Sequence, residues 1–158
     1  MTGEQICLQL DTFVASGAEF HDVLEAAVRL LHESDSRFHW TGIYELFPDQ
    51  VLRLGPFIGA PTDHCFIAVG RGVCGTAVAE GRNMNIPDVR RQENYLACSS
   101  ETRSELVVLI RSGEWIHAQV DIDSHEVDAF GPEAVARVER VADWLAILYS
   151  RQGMEKER

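Results

Sequence analysis

Positive charge is scarce in this sequence: fourteen Lys and Arg stand against twenty-five Asp and Glu, leaving a formal net charge of -11. A surface that acidic repels a phosphate backbone, so nucleic acid is not an expected partner. Long apolar runs are missing too, since no stretch approaches the roughly 18 consecutive apolar residues of a membrane-spanning helix. The opening MTGEQICLQLDTF places Glu4 and Asp11 around a short apolar run and has no basic region, unlike a secretory signal. The expectation is a cytoplasmic protein without membrane attachment, in which the four cysteines, Cys7, Cys65, Cys74 and Cys98, stay reduced. Neither a CxxC nor an HxxxH pair occurs among these cysteines and His64, His117 and His125, which argues against a structural metal site. There is no internal repeat and no low-complexity segment.

What remains has the make-up of a folded domain: 158 residues, 46% hydrophobic and 25% charged, enough for one core and too few for two domains with a linker. A single domain over residues 1–158 is expected. Loosely spaced apolar residues from Gln5 to Val14 predict a first helix, in which Cys7 is a packing residue. Phe20, Val23, Leu24, Ala27, Val28 and Leu31 recur at helical spacing and predict a second, to about His32. Phe38, Trp40, Gly42, Tyr44 and Leu46 then alternate, predicting a strand with one packed face. Val51 to Phe57 reads as its hairpin partner, with a bulge or sheet edge at Gly55 and Pro56. A loop through Pro61, a short strand at Phe66 to Val69, a helix from Gly72 to Glu80 and a brief strand at Met84 to Ile86 follow. Pro87 to Arg103 shows almost no periodicity, and loops that long tend to carry function. Glu105 to Ile110 and Trp115 to Ile122 read as a hairpin about Ser112 and Gly113. Pro132 opens a last helix with an apolar stripe from Val135 to Tyr149, and Gly153 to Arg158 should fray. Antiparallel strands with terminal helices against one face make an α+β fold.

Three runs carry the chemistry: GRGVCG (Gly70 to Gly75), YLACSSETRSE (Tyr95 to Glu105) and QVDIDS (Gln119 to Ser124). The first contains a literal GxGxxG, yet a dinucleotide site needs a βαβ unit and an acidic residue at the end of the next strand. That strand is only some three residues long here, so the glycines read as a tight, closely packed turn. Asp121 and Asp123 lie two apart on a strand and share a face. Glu105, at the start of the hairpin partner, joins them if it shares that face. Like charges held together raise one another's pKa, and a solvated acidic face is the alternative, weakened by the apolar strand around them. Cys98, in the irregular loop, reads as a thiol nucleophile, with Cys74 or Cys65 as a second thiol and the carboxylates placed to grip an ammonium group or deliver a proton.

The residues Trp40-Thr-Gly42-Ile-Tyr44, Leu54-Gly-Pro-Phe57, Gly70 to Gly75, Ala97-Cys98 with Ser104-Glu105, and Asp121-Ile-Asp123-Ser124 resemble the motif series of the free methionine-(R)-sulfoxide reductases, which are GAF domains. The resemblance runs in order from Trp40 to Ser124 and implies a GAF-like sheet with the terminal helices on one face. It implies that Cys98 attacks the sulfoxide sulfur, releases methionine and is left as a sulfenic acid, that Cys74 is a second family cysteine, and that Trp40, Tyr44, Glu105, Asp121 and Asp123 line the pocket for the free amino acid. No cofactor or metal is implied. Thioredoxin or another thiol is the implied reductant, and a homodimer the implied assembly.

One position departs from the pattern. Counting back from GRGVCG, the family's usual resolving cysteine falls on His64 and Cys65 is displaced by one residue. In a strand such a shift turns the side chain to the opposite face, whereas in a loop Cys65 can still approach Cys98. Cys65, Cys74 or an external thiol thus remain open as the resolving group. A GAF sensor that binds a small molecule without turnover is the alternative to an enzyme.

Overall fold

A computed structural model of the chain describes residues 1–93, 95 and 100–153. The order is α1 (Gly3–Ala15), α2 (Phe20–Glu33), β1 (Trp40–Leu46), β2 (Val51–Ile58), β3 (Phe66–Ala68), α3 (Gly72–Glu80), β4 (Met84–Ile86), a 3-10 turn (Val89–Arg91), β5 (Ser104–Ser112), β6 (Trp115–Ser124) and α4 (Pro132–Arg151). The six strands form one sheet in the order β3-β2-β1-β6-β5-β4, and every pairing is antiparallel. The fold is therefore α+β, as the pattern of elements predicted.

The helices begin and end where local chemistry requires. Thr2 caps α1 through a reciprocal capping box with Gln5, satisfying amides that the first turn leaves without partners. Pro132 stands in the first turn of α4, where its missing amide hydrogen costs nothing. The apolar stripes of α1, α2 and α4 all bury on one sheet face, against Ile43, Leu106, Val108, Ile110, Ala118, Val120 and Ile122. Cys7 is 2% exposed in that core, its thiol donating to the Arg140 carbonyl at 3.8 Å, as expected of a packing residue. Leu8 and Phe13, by contrast, stay exposed.

The other sheet face carries its own apolar cluster, in which Trp40, Tyr44, Leu52, Ile67, Val73, Cys74, Ala77, Ile86, Val89, Val107 and Leu109 bury beneath α3. Two expectations about β1 are corrected here. The strand is packed on both faces, because helices cover Ile43 while α3 and the loops cover Trp40 and Tyr44. Phe38 precedes the strand and packs on Phe130 in the helical core instead of sharing a face with Trp40. The bulge expected at Gly55 and Pro56 is present: Gly42 pairs Phe57 and Tyr44 pairs Leu54, so β2 spends an extra residue there. The GxGxxG run proves to be a packing turn. An added Cβ on Gly75 would lie 2.5 Å from the Ala68 carbonyl, so glycine is what lets α3 sit directly against β3. Among the described residues no strand pair is parallel, as a dinucleotide cleft would need.

Candidate active site

Register assembles the site. In the β5–β6 ladder Glu105 stands directly opposite Asp123, and Val107 opposite Asp121, so the three carboxylates share the α3 side of the sheet. β1 adds Trp40 opposite Asp123 and Gly42 opposite Asp121. A Cβ on Gly42 would lie 2.6 Å from the Trp40 ring, so the glycine makes space for the indole over the strand. Trp40 stacks on Phe57 at 5.5 Å and on Tyr44 at 6.3 Å between ring centroids.

The carboxylates are not a solvated face. Glu105 is 3% exposed, Asp121 1% and Asp123 1%. Burial, with Asp121 and Asp123 alongside, pushes the Glu105 carboxyl well above the usual glutamate range. Burial also raises Asp121, partly offset by hydrogen bonds with Glu105 and Cys74. Apart from that contact between the two carboxyl groups, Oε1 of Glu105 and Oδ1 of Asp121 meet no hydrogen-bond partner among the described residues, and no ion pair among those residues involves either side chain. Buried oxygens in that state cost free energy unless a ligand satisfies them.

Cys74 lies in the first turn of α3, 5% exposed, with Sγ 3.9 Å from Oε2 of Glu105. Gln119, the next residue of the QVDIDS alternation toward the hairpin, was not singled out by sequence reasoning. It is fully buried on the same face, and its Nε2 donates to the Cys74 carbonyl at 3.0 Å, fixing the start of α3 to β6. Its period of two with Asp121 and Asp123 was the available signal. Tyr44, His64, Ile67, Gly72, Val73, Cys74, Glu105 and Asp121 enclose a cavity of about 10 Å³. That is room for a single water, far short of the roughly 300 Å³ of an open ligand cleft. A wider groove of about 470 Å³ between α2 and β2 is remote from the carboxylates.

The stretch from Gly59 to Cys65, which walls the cavity through His64, is tied down by the two aromatic residues expected in the pocket. Nε1 of Trp40 donates to the Ala60 carbonyl at 3.0 Å, and the Tyr44 hydroxyl donates to the His64 carbonyl at 2.8 Å. His64 lines the cavity. Cys65 precedes β3, outside any strand, and its exposed thiol contacts the Thr62 carbonyl at 3.7 Å. Of the expected site residues, the structure thus brings together Trp40, Tyr44, Cys74, Glu105, Asp121 and Asp123, and leaves Cys65 on the rim. Cys98 lies outside the described residues. On either side of it the chain is fixed: Val89 donates to the Arg103 carbonyl, and Arg103 to the Ser124 carbonyl, each at 2.8 Å. Tyr95 packs against the site-side core. His117 is buried at the far end of the sheet, bonded to Ser112 and stacked on Tyr149, and His125 stacks on His39.

A six-stranded antiparallel sheet, three helices on one face and a small polar pocket under a short helix on the other together describe a GAF domain. The chain belongs to the GAF domain family, which it matches over residues 11–148. A protein of Escherichia coli (strain K12) named free methionine-R-sulfoxide reductase is 35% identical over 139 residues, covering 83% of this chain and 82% of that one. Among solved structures, the free methionine-R-sulfoxide reductase of Neisseria meningitidis in complex with its substrate superposes with a TM-score of 0.84 at 30% identity, covering 96% of this chain and 91% of that one. The type II free methionine-R-sulfoxide reductase of Thermoplasma acidophilum superposes with a TM-score of 0.78 at 35% identity, covering 83% and 92%.

Proposed function

We propose that this protein reduces free methionine-(R)-sulfoxide to methionine, with Cys98 as the nucleophile. The observation that carries the reading is the buried group Glu105, Asp121 and Asp123. An amino acid with a free ammonium group supplies a positive charge to Glu105 and Asp121, which make no ion pair among the described residues, whereas a peptide-bound methionine has no such group to offer. Similarity to the reductases from Escherichia coli and Neisseria meningitidis supports the choice of substrate.

The chemistry follows from the groups at hand. The Cys98 thiol attacks the sulfoxide sulfur while the sulfoxide oxygen takes up a proton, for which Glu105, held protonated by its surroundings, is the donor. The oxygen ends on Cys98 as a sulfenic acid and methionine leaves with the electron pair. A second thiol then condenses with the sulfenic acid, forming a disulfide and releasing water, and a dithiol such as thioredoxin returns both sulfurs to thiols. Cys74, beside Glu105, Cys65, on the rim, or the external dithiol itself fills the second role, and mass spectrometry of the trapped disulfide identifies which. With about 10 Å³ free in the closed pocket, the substrate gains access only when a wall moves, and the Gly59–Cys65 stretch is the wall held by Trp40 and Tyr44.

The test uses the full chain, a dithiol reductant and free methionine-(R)-sulfoxide. Wild-type protein turns over and Cys98→Ser does not. N-acetylmethionine sulfoxide is a far poorer substrate, and Asp121→Asn weakens the free amino acid more than the acetylated one. If wild type and Cys98→Ser are equally inert while both bind the amino acid, the protein is a sensor and the catalytic reading is wrong.

A further inference from the structure

The pocket groups also offer a second kind of binding. Sγ of Cys74, one oxygen of Glu105 and one of Asp121 all lie within 4.8 Å of one another, and the Cys74 to Glu105 separation is 3.9 Å. A tetrahedral zinc ion with bonds of about 2.3 Å to sulfur and 2.0 Å to oxygen holds such atoms roughly 3.5 Å apart, so a modest contraction of the trio closes the site. All three side chains are at least nine-tenths buried. Oε1 of Glu105 and Oδ1 of Asp121, on residues that wall the same cavity, have no hydrogen-bond partner among the described residues beyond the contact between the two carboxyl groups themselves. The cavity itself, about 10 Å³, suits one ion and no organic molecule. A set of one thiolate and two carboxylates matches the borderline softness of zinc, whereas magnesium and calcium take oxygen alone.

We infer that Cys74, Glu105 and Asp121 form a Zn2+ site, and that the bound ion closes the pocket to the free amino acid. The second half of this inference rests on the proposed substrate. The first does not. Binding displaces two protons to solvent, one from the Cys74 thiol and one from the Glu105 carboxyl, and the ion's two positive charges take the place of the ammonium group beside the carboxylates.

Metal content is measured on the full reduced chain after equilibration with Zn2+ and dialysis, together with the absorption spectrum of the Co2+-loaded protein. One zinc per chain is expected in wild type, Cys65→Ser and Cys98→Ser. Cys74→Ser and Asp121→Asn are expected to weaken binding at least roughly 10-fold, the scale that even outer-shell changes reach. Thiolate-to-cobalt charge transfer is expected in wild type and Asp121→Asn and is expected to vanish in Cys74→Ser. Circular dichroism checks that each variant is folded, and Asp121→Asn carries the test if Cys74→Ser is not. Zinc content below one in wild type, full retention by folded Cys74→Ser, or loss on Cys98→Ser overturns the site. Failure of free methionine sulfoxide to raise the apparent Kd for zinc overturns the shared pocket while leaving the site intact. Zinc binding by a chain that shows no turnover even after chelation upholds the site and counts against the reductase reading instead.

Discussion

Neighbouring residues of β6 occupy two different media. Ala118, Val120 and Ile122 enter the helix-covered core, a predominantly apolar layer, whereas Gln119, Asp121 and Asp123 enter the pocket on the other face. β5 repeats the division, with Leu106, Val108 and Ile110 on one side and Glu105, Val107 and Leu109 on the other. Both faces are equally dry, so exposure does not distinguish them. The contrast lies in purpose: the helical face gains stability by burial, and the pocket face gives some of it up by holding carboxyl groups that repel one another.

The harshest way to break this contrast is to move a carboxylate across the sheet by one residue. Val120→Asp places a charge in the helical core with no polar neighbour designed to receive it. Loss of about 4 kcal/mol or more is expected, enough to leave much of the chain unfolded in a urea titration. A loss below about 1 kcal/mol would mean that the helical core is as tolerant of charge as the pocket.

The reverse change, Glu105→Gln, relieves the pocket and should stabilise the protein by about 1–2 kcal/mol at pH 8. The sign follows from linkage. Glu105 has a folded pKa raised above its unfolded value, so the native state keeps a proton that the unfolded chain has released. Its contribution is most favourable below the unfolded glutamate range and declines as pH rises toward the folded value. The gain from Glu105→Gln should therefore be largest in mild alkali and vanish near pH 4, as read from denaturation midpoints across that window. A gain independent of pH would assign the effect to packing.

Much of this arrangement was legible in the sequence because alternation and helical spacing are short-range. The period of two set Asp121 and Asp123 on one face, and the bounds of α3, Gly72 to Glu80, follow from its apolar run and from Gly81. Placing Glu105 opposite Asp123 depends on hairpin register, which the turn at Ser112 and Gly113 fixes only once the bulge beside Arg111 is known. Single-face packing of β1 was misjudged because alternation cannot reveal a second covering layer: α3 and the Gly59–Cys65 stretch reach β1 through the chain's path in space. The part played by Gln119 escaped notice because an uncharged residue draws attention only when its partner, the Cys74 carbonyl, is in place.

The smallest change tests how the pocket face is kept shut. Ile43 and Tyr44 are successive, fully buried residues of β1 that point to opposite faces, so Ile43→Val and Tyr44→Phe remove comparable amounts of interaction. Each is expected to cost about 1 kcal/mol, the first through a lost methyl group and the second through the hydrogen bond to the His64 carbonyl. Their effects should diverge in amide hydrogen exchange. Ile43→Val loosens the molecule only globally, while Tyr44→Phe removes one of the side-chain ties on the Gly59–Cys65 wall and should speed exchange of the wall's protected amides by roughly 5-fold. If the two variants give the same exchange pattern, the wall is held by the core as a whole, and the movement needed to admit an amino acid must come from another part of the pocket.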